Sequence, residues 1–208
     1  LAVTEAEELA RVIPVIEQLA NQTDAALSID TQKPAVAEAA LAAGAVVIND
    51  IAANRTDPQM WQIAVAARAG YVAMHMQGTP QTMQDAPAYT EVVTEVRAFF
   101  DERLERFNEA GLNAEQVLFD PGIGFGKTVE HNLALLAGLE RFKKMKRPLL
   151  VGASRKSFIG HLTGAAVEDR LAGSLACACR AAEAGAGVLR VHDVKETNQA
   201  LQTWNAIR

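Results

Sequence analysis

Apolar positions in this chain fall into one repeated alternation: an amphipathic helical stretch, a Gly or Asn stop, then four to six aliphatic residues ending in a polar one. Thr4 and Glu7 have capping-box spacing, and Leu9, Val12, Ile13, Ile16 and Leu19 follow at helical spacing. Residues 26–30 form the first expected strand, ending at Asp30. Pro34 opens a helix that Gly44 ends, and 46–50 is the second strand. Asp57-Pro58 reads as an N-cap and first-turn pair, Gly70 closes that helix, and the next strand runs over 71–76. Thr90 starts a longer helix carrying Val92, Val96, Phe99, Leu104 and Phe107, stopped at Gly111. Strand 117–120 follows, and a helix from near Thr128 leads to strand 149–151. A helix ending about Gly185, strand 188–192 and a terminal helix capped by Asp193 with Glu196 complete the pattern.

Six near-continuous aliphatic strands alternating with helices suit parallel strands covered on both faces. Two α/β architectures fit, a doubly wound open sheet and a (β/α)8 barrel. The strand ends read Asp30, Asn49-Asp50, His75, Asp120, Ser154 and His192. An open sheet needs polar groups only near its switch point, whereas a barrel gathers them from many strand ends. Six polar endings favour the barrel, a TIM barrel with six βα-type units visible. A barrel takes ~250 residues, and the chain opens at Leu1 on a helix without Met, so the first two units are expected to be missing. With no linker or low-complexity tract, 1–208 reads as a single domain.

Composition narrows the function classes. Half of the 208 residues are hydrophobic (50%), 22% are charged and 5% aromatic, which is globular and argues against disorder or a disulfide-stapled fold. Twenty basic against 25 acidic residues give −5 with no basic run. That argues against a nucleic-acid surface or a basic membrane helix. No apolar run is long enough to span a bilayer. Cys177 and Cys179 are too close together to staple the chain and lie in an Ala-rich stretch, so they read as buried free thiols in a reducing cytoplasm.

The most informative segment is Phe119-Asp120-Pro121-Gly122-Ile123-Gly124-Phe125-Gly126-Lys127-Thr128. A P-loop would need Gly where Pro121 stands, and a dinucleotide fingerprint would need Gly at Lys127, so both fail. What is left is a ligand-facing carboxylate, Asp120, at a strand end, before a pliable loop carrying one aromatic. Asp30 and Asn49 together can read a flat heterocycle with adjacent donors and acceptors, such as an amino-pyrimidinone. Alternatively, Asp30 caps the helix near Pro34. Ser154-Arg155-Lys156-Ser157, where a helix begins, makes a carboxylate or phosphate seat, or else a solvated turn. Arg190 and His192 alternate onto one strand face, where a buried cation would demand an anionic partner. His75 lies on the opposite face from Met74 and Met76 and, if the methionines line the pocket, reads as structural; His131 and His161 read as ordinary surface or loop histidines. No Cys/His set has zinc spacing, and no Ser sits in a nucleophile elbow.

Taken in order, Ser28-Ile29-Asp30-Thr31, Ile48-Asn49-Asp50-Ile51, Met74-His75-Met76-Gln77-Gly78, Asp120 to Lys127, Ser154-Arg155-Lys156-Ser157 and Arg190-Val191-His192-Asp193 resemble the motifs of bacterial dihydropteroate synthases. The resemblance runs through essentially the whole chain. It implies a (β/α)8 barrel that condenses 6-hydroxymethyl-7,8-dihydropterin pyrophosphate with p-aminobenzoate, releasing pyrophosphate, in the folate-pathway step blocked by sulfonamides. By resemblance, Asp30, Asn49 and Asp120 bind the pterin, with Ile51 and Met74 as further contacts. Lys156 bonds the pterin and lines the p-aminobenzoate pocket, Arg190 stacks on the pterin, Arg190 and His192 form the pyrophosphate pocket, and Val191 counts among the substrate-binding residues. Ser157 seats the benzoate carboxylate and Phe125 forms its apolar wall. Asp30, Asp120, Lys156, Arg190 and His192 form the implied catalytic set. The family also implies Mg2+, held by an Asn outside this chain, so no metal ligand is assigned here. A homodimer through the later helices is implied as well, compatible with the Ala-rich run 171–186. Two alternatives stay open: a methyltetrahydrofolate-binding methyltransferase domain, which should lack the Ser154 to Ser157 motif, and a truncated, non-catalytic pterin-binding module.

Overall fold

A computed structural model describes residues 3–52 and 58–207. Its elements are α1 (Glu5–Ala20), β1 (Ser28–Asp30), α2 (Pro34–Ala42), β2 (Val47–Asp50), α3 (Gln59–Ala67), β3 (Gly70–Met74), α4 (Val92–Glu109), β4 (Val117–Asp120), α5 (Val129–Ala137), β5 (Leu150–Val151), α6 (Ser157–Thr163), α7 (Leu171–Glu183), β6 (Val188–Leu189) and α8 (Val194–Ala206). The expected alternation of helix and strand is present throughout. The Thr4–Glu7 capping box forms in full, the Thr4 amide donating to Glu7 at 2.9 Å and the Glu7 amide to Thr4 at 3.3 Å. Pro34 occupies the first turn of α2. Asp57 lies outside the described residues, and Pro58 is the N-cap of α3.

Three expectations change. Asp193 stands at the N-cap of α8 but makes no capping bond, because its carboxylate is taken by Arg155. The sixth strand stops at Leu189 rather than running to residue 192. The Arg190 amide still reaches Val151 O at 3.0 Å, but the His192 amide turns to the Ser154 hydroxyl at 3.3 Å. Arg190 and His192 therefore lie past the strand, and both are exposed, not buried on an interior face. Cys177 and Cys179 are unpaired but only half-buried, and burial pushes the Cys177 thiol up to about 11.

The chain divides into two compact units, Leu1–Met74 with Glu102–Leu118, and His75–Asp101 with Phe119–Arg208. In the first, β1, β2 and β3 are parallel in sequence order, with Asp30 opposite Asn49 and Asp50 opposite Ala73. Its core centres on Phe107, edge-on to Trp61 at 5.0 Å and to Tyr71 at 5.4 Å. The Tyr71 hydroxyl donates to Asp50 at 2.7 Å and accepts from the Trp61 indole at 3.1 Å. The Asp50 carboxylate is thereby a core fixture, taking the Ala52 amide at 2.8 Å as well. In the second unit a parallel bridge joins Phe119 to Leu149, and β5 pairs with β6 in parallel. Phe100 stacks on Phe119 at 4.3 Å and meets Phe142 edge-on at 6.0 Å, and Ile123, Leu135, Leu139 and Phe158 of the same unit are buried. Burial of such side chains contributes roughly 1.5–3 kcal/mol each, so the two clusters anchor the strand ends.

Candidate active site

In the first unit the parallel register sets Asp30 beside Asn49, and the Asn49 amide nitrogen donates to Asp30 Oδ2 at 3.0 Å. Asp30 does not cap α2, whose N-cap is Lys33. The loop after Asp30 is tied to α1 instead. The Thr31 hydroxyl donates to Glu8 at 2.5 Å and the Lys33 ammonium pairs with the same carboxylate. Asn49 is 7% exposed, and its side-chain oxygen is buried with no hydrogen-bond partner. A buried acceptor left unmade costs about 1–3 kcal/mol, and a donor-rich ligand edge would satisfy it. Met74 ends β3 fully buried, and Ile51 is half-buried in the turn after β2.

In the second unit Asp120 ends β4, and its carbonyl accepts the His75 amide at 2.9 Å. One carboxylate oxygen takes the Gly122 amide at 2.8 Å. Burial pushes this carboxyl up to about 6, opposed by the Gly122 amide and by Lys156, Lys127 and Arg190. Asp120 is thus still mainly charged at neutral pH and is surrounded by cations. Gly122 has φ +67°, and a Cβ there would sit 1.9 Å from the His75 carbonyl oxygen, so no other residue fits.

The loop that follows is fastened, not pliable. The Gly124 amide donates to Asn132 at 2.6 Å, and the Gly124 carbonyl accepts from Gln84 at 3.1 Å. The Gly126 carbonyl accepts from the Tyr89 hydroxyl at 2.9 Å. Asn132 in turn donates to Thr128 O at 2.7 Å, and His131 completes a capping box with Thr128 at the start of α5. Thr128 and His131 so anchor the far end of the loop, a role the sequence reading did not give His131. Phe125 is held half-buried with the Lys156 ammonium 4.0 Å from its ring centroid, a cation–π contact.

Sequence reasoning missed Lys127. It is 3% exposed, and its ammonium reaches His75 Nδ1 at 3.0 Å, His75 O at 3.3 Å and Phe125 O at 2.9 Å. The Lys127 amine nitrogen thus has three polar neighbours within hydrogen-bonding distance, two of them backbone carbonyls. Burial, then the neighbouring Lys127 charge, hold His75 down to about 3. Burial also lowers Lys127 to about 7, with Asp120 pulling it back up and Lys156 pushing it further down. His75 is buried and packs edge-on to Phe99 at 4.9 Å. A lysine inside a Gly-rich run next to a strand-end carboxylate was the available signal.

The remaining expected residues lie after β5 and β6. Lys156 is the half-buried N-cap of α6, and Ser157, its first residue, is exposed. A cleft of about 300 Å3 opens beside Ser157, lined by Gln84, Lys127, Thr128, Asn132, Phe158 and His161 among others. Val191 is half-buried between Arg190 and His192, and His192 Nδ1 lies 2.9 Å from the Ser154 hydroxyl. A larger cleft of about 520 Å3 lies against α2 and α3 and holds none of these residues. Among the described residues no three His, Cys, Asp or Glu side chains could hold a metal ion together. Among the same residues no helix is long and apolar enough to cross a membrane.

The chain matches the pterin binding enzyme family over residues 2–192. The dihydropteroate synthase of Escherichia coli K12 is 47% identical over 200 residues, covering 96% of this chain and 71% of that one. The Yersinia pestis dihydropteroate synthase, solved in complex with a sulfonamide drug, superposes with a TM-score of 0.96 at 44% identity, covering 100% of this chain and 75% of that one. The Xanthomonas albilineans dihydropteroate synthase in complex with 7,8-dihydropteroate gives 0.91 at 47% identity, covering 99% and 75%. The fold class of these relatives, and of this chain with them, is the (β/α)8 barrel. Sequence motifs, strand-end polar groups and structural similarity agree: the chain belongs to the pterin-binding enzyme family, among its dihydropteroate synthases.

Proposed function

We propose that the chain condenses 6-hydroxymethyl-7,8-dihydropterin pyrophosphate with p-aminobenzoate through the residues described above. Asp30, Asn49 and Asp120 hydrogen-bond the pterin, with Ile51 and Met74 as apolar contacts. Arg190 and His192 receive the departing pyrophosphate, and Val191 between them is a further substrate contact. Lys156, resting on Phe125, serves both substrates, and Ser157 takes the benzoate carboxylate. The reaction breaks the bond between the pterin methylene carbon and the pyrophosphate oxygen, whose electron pair leaves with the pyrophosphate. The electron-rich ring carries the resulting positive charge, and the Asp30 and Asp120 carboxylates favour it by Coulomb attraction. The arylamine nitrogen then bonds to the methylene carbon and gives up a proton. Holding the amine by its carboxylate makes this attack effectively intramolecular, and no protein nucleophile is required.

The observation that carries this reading is the buried, unpartnered Asn49 oxygen beside the Asp30 carboxylate. That pair offers two acceptors to the amino-pyrimidinone edge of a pterin. Asn49→Ala should weaken dihydropterin binding by roughly tenfold or more, the worth of one buried hydrogen bond. Calorimetry on the full-length protein giving equal affinities would contradict the assignment. The methyltransferase alternative finds no support, since the Ser154 to Ser157 motif is present and the relatives are synthases. The same reading includes a cytoplasmic homodimer built on α7 and α8. Val194 and Ile207, 67% and 72% exposed at the two ends of α8, support it, and sedimentation of the full-length protein at two concentrations tests it.

A further inference from the structure

We infer that Arg155 and Asp193 are positioning residues, which clasp the loop bearing Lys156 and Ser157 to the loop bearing Arg190 and His192. The inference rests on the synthase reading, which gives those loops to the acceptor and the leaving group. Arg155 Nε donates to Asp193 Oδ2 at 3.0 Å, and its second arm bonds Oδ1, making a two-pronged pair. One residue earlier on each loop, the Ser154 hydroxyl meets the His192 ring at 2.9 Å and accepts the His192 amide at 3.3 Å. Adjacent residues 154 and 155 therefore pair with adjacent residues 192 and 193, two rungs between the same two loops.

The backbone of Arg155 is held as firmly as its side chain. Its φ is +55°, in the left-handed region that residues with a side chain avoid. Its amide donates to the Ser174 hydroxyl at 2.9 Å and its carbonyl accepts from Arg170 at 3.1 Å. The Ser174 hydroxyl donates to Arg170 O at 2.7 Å, closing the set from α7. Asp193, at the N-cap of α8, forgoes the capping bond that an Asp there ordinarily makes. Each partner thus gives up a locally favoured arrangement to make this pair. The guanidinium is neutralised by Asp193, so of the two cations in Ser-Arg-Lys-Ser, Lys156 alone extends to Phe125, while Arg155 fixes where it stands.

The test compares the full-length synthase with Asp193→Asn, which removes the charge at nearly constant shape, and Arg155→Lys, which keeps the charge and removes the fork. Both should raise KM for p-aminobenzoate and for the pterin pyrophosphate together, by roughly tenfold, through displacement of Lys156, Ser157, Arg190 and His192. The double variant should be no worse than the poorer single one, and Asp193→Glu should recover part of the loss. Melting temperatures read in parallel separate positioning from folding: a lowered Tm with both KM values unchanged would overturn the clasp. So would a rise in one KM alone. Wild-type protein without turnover would overturn the synthase reading and the clasp with it, whereas active wild type with unaffected variants would overturn the clasp alone.

Discussion

Asp120 sits where burial and charge oppose each other: burial pushes its carboxyl up to about 6, and Gly122, Lys156, Lys127 and Arg190 keep it from rising further. As pH falls through about 6 the carboxylate becomes neutral and loses acceptor strength. Dihydropterin affinity should fall over that window, and Asp120→Asn should weaken binding by about 2 kcal/mol at neutral pH and remove the transition. Calorimetry across pH 5 to 8 reads both. Lys127 gives a stability prediction of defined sign. Its folded value of about 7 lies below the ordinary 10.5, so the unfolded chain binds more protons between them and stability gains from this group as pH rises through that window. Lys127→Met should flatten this gain in urea midpoints between pH 7 and 10; an unchanged slope would contradict the buried placement. Asn49 and Asp120 were legible in sequence because a polar residue ending an aliphatic strand announces itself. Lys127 was not, since its partner His75 is 52 positions away and only folding brings the two together.

At the scale of elements, the alternation of periods made helices and strands legible, while their ends depended on contacts no local pattern contains. The sixth strand stops because Ser154, from another loop, captures the His192 amide. The Gly-rich segment after Asp120 reads as pliable because glycine permits many conformations. Gln84, Tyr89 and Asn132, all from elsewhere, select one of them. This separates two glycines that look alike in sequence. Gly111 has φ +84°, and a Cβ there would meet nothing within 4 Å, whereas a Cβ at Gly122 would collide with the His75 carbonyl at 1.9 Å. Gly111→Ala should cost about 1 kcal/mol, the backbone strain alone. Gly122→Ala should cost well above that, about 4 kcal/mol or more, measured by chemical denaturation. Equal costs would mean that the loop relaxes freely around Gly122.

For the molecule as a whole, six polar strand endings pointed to the barrel class, to which the relatives belong. Ion pairs that fasten each unit were invisible at that level. Glu8 with Lys33 and Arg180 with Glu140 join segments whose sequence separation gives no hint of contact. The measurement that bears most directly on the function is turnover by the full-length protein. Supplied with 6-hydroxymethyl-7,8-dihydropterin pyrophosphate and p-aminobenzoate, it should form 7,8-dihydropteroate with one pyrophosphate released per product, detected by mass spectrometry and a phosphate assay. Asp120→Asn should lower kcat/KM by roughly tenfold or more, in line with its lost hydrogen bond. Failure of the wild type to form dihydropteroate, or an undiminished rate in Asp120→Asn, would contradict the account.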